Sequence, residues 1–308
     1  MDCGLPAADC SAAPMQQPAR RVRVVVMIGV IAWGPGLSTG RMVAEWRSRG
    51  LDAVVVSPLD APELLSRGDV ALVRLDVVPT LDACEPGLEV CRPLAGRGVR
   101  VLNGPAGLLA AHDKLRTARA LERAGLPHPA TRHVTELREV AGLEPPLVLK
   151  PRFGSWGHDV LLCRTPAELT AAVAVLPQRR WFRTTGVLAQ EVVPDVTRDL
   201  RVLVADARTV GACARVSAPG EWRTNTSLGG RIEPVDPPGE ALQLAVAATG
   251  ALGIDLAGVD LLPASDGGWI VLEVNGAADF DERYSLPDRD VYDDVAAALA
   301  LDAVTAER

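Results

Sequence analysis

No stretch of this 308-residue sequence approaches the roughly 18 to 20 consecutive apolar residues that a membrane-crossing helix needs. The longest candidate, Val24 to Trp33, has the length of one buried strand, so no membrane partner is expected and a cytoplasmic protein is. Arg20-Arg21 before that run resembles the start of a secretory signal. Gly34-Pro35-Gly36 stands where a small-residue cleavage site belongs, however, and the run reads as a strand. The six cysteines (Cys3, Cys10, Cys84, Cys91, Cys163, Cys213) contain no CxxC pair and no dense spacing, which speaks for a reducing compartment and for cysteines used in packing. The four histidines (His112, His128, His133, His158) show no metal-ligand spacing. A Walker A sequence is absent, as is any internal repeat. With a net charge of −7 and arginines scattered along the chain, no nucleic-acid partner is expected.

What is present is a 48% hydrophobic composition, enough to fill the cores of about two domains. Residues 1–20, rich in Ala, Pro and polar side chains, read as a disordered tail. Over 21–108, strand-like runs at Val22 to Ala32, Ala53 to Ser57, Val70 to Arg74 and Val99 to Leu102, with a helix near Gly40 to Arg49, imply a parallel α/β domain. Asp113 then reads as the N-cap of a helix with Leu115, Ala118 and Leu121 on one face, Gly125 just past its end and Pro127 beyond. Over 109–308 the pattern becomes α+β around an antiparallel sheet. Strands are expected at Leu147 to Lys150, Asp159 to Cys163, Gly186 to Gln190, Leu200 to Ala205, Val210 to Val216, Gly258 to Leu262 and Trp269 to Val274, with helices near Ala167 to Leu176 and Gly239 to Leu252.

Three oxygen-bearing residues are candidates for a metal site. Asp260 lies within one strand, and Glu273 and Asn275 lie two apart at the end of the next, so their side chains share a face. Mg²⁺ favours a few such oxygens plus nucleotide phosphates over a full protein cage. The plainer alternative, exposed strand carboxylates, fits poorly with the apolar residues around Asp260 and Glu273. Lys150 ends a strand just ahead of the loop Gly154-Ser155-Trp156-Gly157, where an ammonium and approaching backbone N–H groups could clamp a phosphate, although the same loop could be an ordinary tight turn. Gly34 to Gly40 is one residue too long for a dinucleotide fingerprint, and Val56-Ser57-Pro58 lacks the acidic residue that would bind ribose. Arg215, Arg223 and Asn225 fall in a polar, glycine-rich segment that reads as a loop, suited either to oxyanion binding or to a solvated surface.

Taken in order, Asn103-Gly104-Pro105, His112-Asp113-Lys114-Leu115, Leu149-Lys150-Pro151, Phe153 to Gly157, Ala189-Gln190-Glu191-Val192-Val193, Asp199-Leu200-Arg201, Glu221 to Thr226, Gly229-Gly230, Gly258 to Leu261 and Glu273-Val274-Asn275 resemble the ATP-grasp superfamily, specifically its RimK-type α-L-glutamate ligases. The resemblance covers roughly residues 100–298. It implies an ATP-grasp fold with central and C-terminal subdomains behind an N-terminal pre-ATP-grasp α/β domain. ATP and Mg²⁺, or Mn²⁺ in its place, are the implied cofactors. Lys114 and Lys150 would bind phosphates under the loop Gly154, Ser155, Trp156 and Gly157. Gln190, Glu191, Val192 and Val193 would line the adenine pocket, and Asp199 would bind the nucleotide. Arg223, Thr224 and Asn225 would approach phosphate and substrate, Arg215 the acyl phosphate, and Asp260, Glu273 and Asn275 would hold the metal. Gly154 to Gly157 and Arg223 to Thr226 are more similar to the LysX-type branch, which joins an amino acid's amine to a carrier protein's C-terminal glutamate. His158 and the segment Gly276 to Tyr284 depart from that pattern.

The resemblance implies a carboxylate–amine ligase that forms an amide through an acyl phosphate and releases ADP and phosphate. The expected partners are an amino acid or amine and a carboxylate acceptor, which is a small molecule, a peptide or a carrier-protein C-terminus. Self-association into a homo-oligomer stays open. The competing readings are a small-molecule kinase on the same fold, a degenerate ATP-binding regulator and, last, a nicotinamide-dependent oxidoreductase.

Overall fold

The computed structural model describes Met1, residues 26–194 and residues 196–301. The tail expected over 1–20, Arg20-Arg21, Cys3 and Cys10 lie outside the described residues. Three sheets organise the chain. Strands β1 (Met27–Ile31), β2 (Asp52–Val56), β3 (Val70–Val73) and β4 (Arg100–Leu102) form a parallel sheet in the order β2-β1-β3-β4. Burial of nearly all of β1 and β3 matches their continuous apolar runs, as expected for strands covered on both faces.

Strands β5 (Thr131–Val134), β6 (Leu147–Pro151), β7 (Leu161–Cys163) and β8 (Val187–Glu191) form an antiparallel sheet in the order β5-β8-β6-β7. The third sheet, also antiparallel, contains β9 (Arg198–Ala205), β10 (Arg208–Val216), β11 (Arg231–Glu233), β12 (Leu256–Pro263) and β13 (Trp269–Asn275) in the order β11-β10-β9-β12-β13. The sequence pattern implied one antiparallel sheet; there are two, because strand pairing is set by contacts far apart in the chain that local patterning does not encode.

The hydrophobic core runs across the change from parallel to antiparallel sheets. One cluster joins Ile31, Ala71 and Val73 of the parallel sheet to Val202, Val259 and Val271 of the five-stranded sheet. A second joins Ile28 and Val30 to Leu203, Val291 and Tyr292. The four-stranded sheet has a core of its own, around Leu149, Leu169, Trp181 and Val187. We propose that the division near residues 108 and 109 marks where the sheets change, while the packing continues through it. Asn103 helps fasten that junction: fully buried at φ 55°, it donates to the carbonyls of Leu256 and Gly276 and accepts from the N–H groups of Asp255 and Leu256.

Two helices place the site. Pro105–His112, absent from the sequence expectations, runs into Lys114–Arg123, whose N-cap Asp113 accepts from the N–H groups of Leu115 and Arg116 as expected. Gly125 lies just beyond that helix with φ 65°. The helix Gly239–Leu252 matches the sequence reading residue for residue. A Cβ on Gly107 would stand 2.2 Å from the Gly253 carbonyl oxygen, so the close crossing of these helices requires glycine there. Gly107→Ala should therefore lower stability by about 1–3 kcal/mol. Gly250→Ala, on the exposed face of Gly239–Leu252 with nothing within 4 Å of the added carbon, should raise it by about 0.4–1 kcal/mol. Urea unfolding of both variants checks the contrast.

Candidate active site

A cavity of about 700 Å³ is lined by residues of the four-stranded and the five-stranded sheets. Every residue singled out from the sequence lines it: Lys114, Lys150, Gly154 to Gly157, Gln190 to Val193, Asp199, Arg215, Arg223 to Asn225, Asp260, Glu273 and Asn275. Arg201 lines it too and was not among those candidates.

The charged floor follows from strand register. Arg215 of β10 lies opposite Asp199 of β9, and Arg201 of β9 opposite Asp260 of β12, which in turn faces Glu273 of β13. Arg201 donates to both Asp260 oxygens at 2.7 and 2.8 Å. Arg215 grips both oxygens of Asp199 and reaches Asp260 Oδ2 at 2.9 Å, and Thr224 Oγ1 donates to Asp199 at 2.6 Å. Burial works to raise the Asp260 carboxyl, but Arg201 and Arg215 outweigh it and hold the group down at about 2. Asp260 is buried, which removes the reading of an exposed strand carboxylate. Arg215 likewise is not a loop arginine: it sits buried near the end of β10, and the polar loop begins after it. Asp199 faces the cavity with both oxygens already engaged, so its geometry is that of a residue orienting Arg215 and Thr224.

A bulge in the β12–β13 ladder, between Asp260 and Leu261, adds a residue to β13. Leu272, Glu273 and Asn275 all line the cavity as a result, while Val271 and Val274 stay in the core. Lys114 Nζ donates to Glu273 Oε1 at 2.7 Å and to the Gly154 carbonyl at 2.5 Å, tying Glu273 to the loop. With its amide oriented to satisfy both ends, Asn275 donates to Glu273 Oε1 at 3.0 Å and accepts from Arg201 Nη2 at 3.2 Å. Two carboxylates and an amide oxygen form a hard donor set suited to Mg²⁺ that also binds phosphate, and Arg201, Arg215 and Lys114 balance their charge in this structure. The residues fit a divalent cation.

Lys150, buried, donates to Gln190 Oε1 at 2.8 Å, and Gln190 Nε2 donates to Thr131 Oγ1. Burial first, and Lys114 second, push the Lys150 ammonium down to about 8. The apolar side chains of Val148, Val160, Leu162, Leu262 and Leu272 also line the cavity, together with Val192 and Val193.

The loop Gly154 to Gly157 is latched to the segment after β10. Arg223 Nη1 donates to the Gly157 carbonyl at 2.9 Å, and Ser227 Oγ to that of Trp156 at 2.8 Å. Gly157 has φ 73°, and a Cβ there would meet Asn225 Oδ1 at 2.6 Å. The Arg223 guanidinium is itself held in a fork by Glu221, whose carboxyl that pairing depresses to about 2. His158 is exposed at the rim. Arg201 could have been found from Asp199-Leu200-Arg201, since residues two apart on a strand share a face.

A second cavity of about 650 Å³ adjoins the first and shares Ser155, Trp156, Arg201, Arg215, Asn225 and Asn275 with it. Its far wall comes from Gly36 to Thr39, Arg41, Asp76 and His112.

A model of the RimK-like ATP-grasp domain matches residues 111–298. The chain belongs to the RimK-like ATP-grasp family. A curated relative from Shewanella sp. strain W3-18-1, named probable alpha-L-glutamate ligase 1, is 32% identical over 268 residues, covering 81% of this chain and 87% of the relative. Two solved structures share the fold. The ATP-grasp ligase PsnB complexed with minimal precursor, Mg and ADP aligns with a TM-score of 0.63 at 20% identity, over 90% of this chain and 97% of that one. D-alanine–D-alanine ligase from Bacillus anthracis complexed with ATP aligns with a TM-score of 0.62 at 18% identity, over 91% and 95%. This RimK-like protein is accordingly an ATP-using ligase that forms carbon–nitrogen bonds, which sets aside the kinase, regulator and oxidoreductase alternatives. Among the described residues, no helix is long and apolar enough to cross a membrane.

Lys150 and the latched loop yield three expectations, the first taking Lys150 as a phosphate ligand. Triphosphate next to Lys150 favours its ammonium form, so ATP binding above about pH 8 should take up a proton and weaken as pH rises further. Calorimetry at alkaline pH in buffers of different ionisation enthalpy reads that uptake, which Lys150→Met should abolish. In the free protein the sign is reversed: a lysine depressed to about 8 makes stability rise as pH climbs from there toward the ordinary lysine range. Arg223→Ala cuts the latch to Gly157, and faster proteolytic cleavage within Gly154 to Gly157 than in the parent chain is the expected result.

Proposed function

We propose that this RimK-like ligase phosphorylates the carboxylate of an acceptor with ATP and joins the resulting acyl phosphate to the amine of an amino acid, releasing ADP and phosphate. The observation that supports this reading is the pair of adjoining cavities whose common wall carries Arg201, Arg215 and Asn275. A nucleotide in the first and an acceptor in the second would meet across that wall. Lys114 and Lys150 hold the phosphates, and Val192 and Val193 border the base. The loop Gly154 to Gly157, latched by Arg223, covers the triphosphate and keeps water from competing with the acceptor.

Asp260, Glu273 and Asn275 would hold Mg²⁺; when bound, the ion neutralises charge on the transferring phosphoryl group. Arg215 and Arg201 face the developing charge of the acyl phosphate, held in place by Asp199 and Asp260. No protein nucleophile is required, because phosphoryl transfer of this kind depends on positioning and charge stabilisation. The acceptor is a small molecule, a peptide or a carrier-protein C-terminus. The glutamate-ligase name of the Shewanella relative makes L-glutamate the first amino acid to try, and the LysX-like loop sequence adds a carrier protein ending in glutamate as an acceptor.

The test is Mg²⁺-dependent release of ADP and phosphate across a panel of amino acids and C-terminal carboxylates, with mass spectrometry of the products. A product formed by loss of water, with one ADP per bond, is the expected result; AMP, or a phosphorylated product alone, overturns it. Arg215→Ala should lower stability as well as activity, and the fraction that stays folded should still bind ATP while turning over about 10²–10³-fold more slowly, as befits loss of a charge that acts in the transition state.

A further inference from the structure

His112 lies outside every role given so far, yet it sits two residues before Lys114 and faces the other cavity. Lys114 lines the nucleotide cavity and His112 the adjoining one. The imidazole is buried at the end of the helix Pro105–His112, and its Nε2 lies 2.9 Å from the Leu75 carbonyl oxygen. A carbonyl can only accept, so Nε2 carries the hydrogen and the neutral ring keeps its lone pair on Nδ1. Nδ1 is 3.8 Å from Asp76 Oδ1, too far for a direct hydrogen bond but close enough for one nitrogen to reach both atoms.

Asp76 accepts from the Val77 N–H through Oδ1 and is partly exposed. Among the described residues, no lysine or arginine pairs with it. The other charged groups of this cavity are committed elsewhere: Arg41 to Glu282 at 2.6 Å, Arg283 to Asp281, and Arg201 and Arg215 to the buried aspartates. Asp279 lies beside Arg74 at 4.0 Å. The His112–Asp76 corner is therefore a place in the second cavity where a lone pair and a carboxylate converge with no cation in direct contact, Arg74 and Lys114 acting on them only from farther off, which is the chemistry that receives an ammonium group.

An amino acid at neutral pH presents its amine as an ammonium ion, which has no lone pair and cannot attack an acyl phosphate. We propose that His112 Nδ1, assisted by Asp76, binds the incoming amine and takes its proton; this rests on the acyl-phosphate ligase reading above. The freed nitrogen pair attacks the acyl carbon, the C–N bond forms, and the C–O bond to phosphate breaks with its electrons leaving on phosphate. The second amine proton departs with phosphate, and His112 returns the first to solvent past Asp76. Burial, the largest influence, and Lys114 lower the basicity of His112 against Asp76, the Leu75 carbonyl and Glu273, and the net direction is down, which keeps the ring neutral in the free protein.

The test separates the two half-reactions. With MgATP and a carboxylate acceptor from the panel, one set of assays supplies the amino acid and another supplies hydroxylamine, whose nitrogen is already unprotonated at neutral pH. His112→Gln, which can still donate to Leu75, should lower amide formation by about 10²–10⁴-fold, the usual span for general acid–base catalysis. Hydroxamate formation should persist, and the residual amide rate should climb with pH as free amine accumulates. Asp76→Asn, at a half-exposed position, should show the same split to a smaller degree. Equal amide rates in His112→Gln and the parent overturn the proposal, and so does loss of amide and hydroxamate together, which marks a structural role. If the parent itself yields neither product with any acceptor, the ligase mechanism fails and not this assignment alone.

Discussion

Four charges in one row of strands, three of them buried and Arg201 partly so, constrain this molecule more than any other feature. Asp199, Arg201, Arg215 and Asp260 sit on three neighbouring strands in a chain of pairings, Asp199 to Arg215, Arg215 to Asp260 and Asp260 to Arg201. Removing one partner would strand a charge away from water at a cost of about 3–5 kcal/mol, so the set stands or falls as a unit. Its placement is not decided by the charges alone. On β9 the residues between them, Leu200 and Val202, point into the shared core, as do Val259 and Leu261 on β12. A one-residue slip would carry the apolar set to the cavity and the ions to the core, so the hydrophobic face fixes the register that aligns the charged one.

That arrangement explains how a cavity full of ions can await a polyanion. In the free protein Lys114 leans on Glu273, Lys150 on a neutral amide, and the two arginines on aspartates. On the proposed reading, triphosphate and a divalent ion would bring charges of both signs together, and the cations would turn toward phosphate while the carboxylates turn toward metal. The exchange trades one set of pairings for another and leaves no buried charge alone, which keeps the cost of reorganisation small.

Much of this was legible in the sequence, for reasons that differ by element. The strands of the parallel sheet announce themselves as apolar runs, Asp113 as a cap, and Asp260, Glu273 and Asn275 by the two-residue period of a strand. The helix Pro105–His112 escaped because Pro-Ala-Gly-Leu-Leu-Ala-Ala is apolar almost all round and shows no helical stripe. Thr131–Val134 and Arg231–Glu233 are too short and polar to register as strands until their partners are known. Arg201 was hidden by a preference for carboxylates when reading metal sites. Arg215 was assigned to a loop because the glycine-rich text begins just after it. His112 was set aside for lacking a metal-ligand spacing, a criterion that says nothing about a lone pair aimed into a cavity.

The division of the hydrophobic core bears on how the ligase works. The parallel sheet and the five-stranded sheet share two core clusters, so the charged row, the carboxylates and the second cavity travel as one block. The four-stranded sheet, with its separate core, carries Lys150, Gln190 and the loop Gly154 to Gly157. Between these bodies run the Lys114 contacts, the Asp113–Arg152 and Asp82–Arg180 ion pairs and the latch formed by Arg223 and Ser227, while Val77 and Leu81 from the segment after β3 pack into the smaller lobe's core. The polar links on the cavity side can open individually, with Val77 and Leu81 left as the apolar attachment, whereas separating the first two sheets would expose two core clusters. Any opening of the first cavity is thereby expected to fall to the smaller lobe, and the wall shared by the two cavities, built on the five-stranded sheet, would keep its geometry.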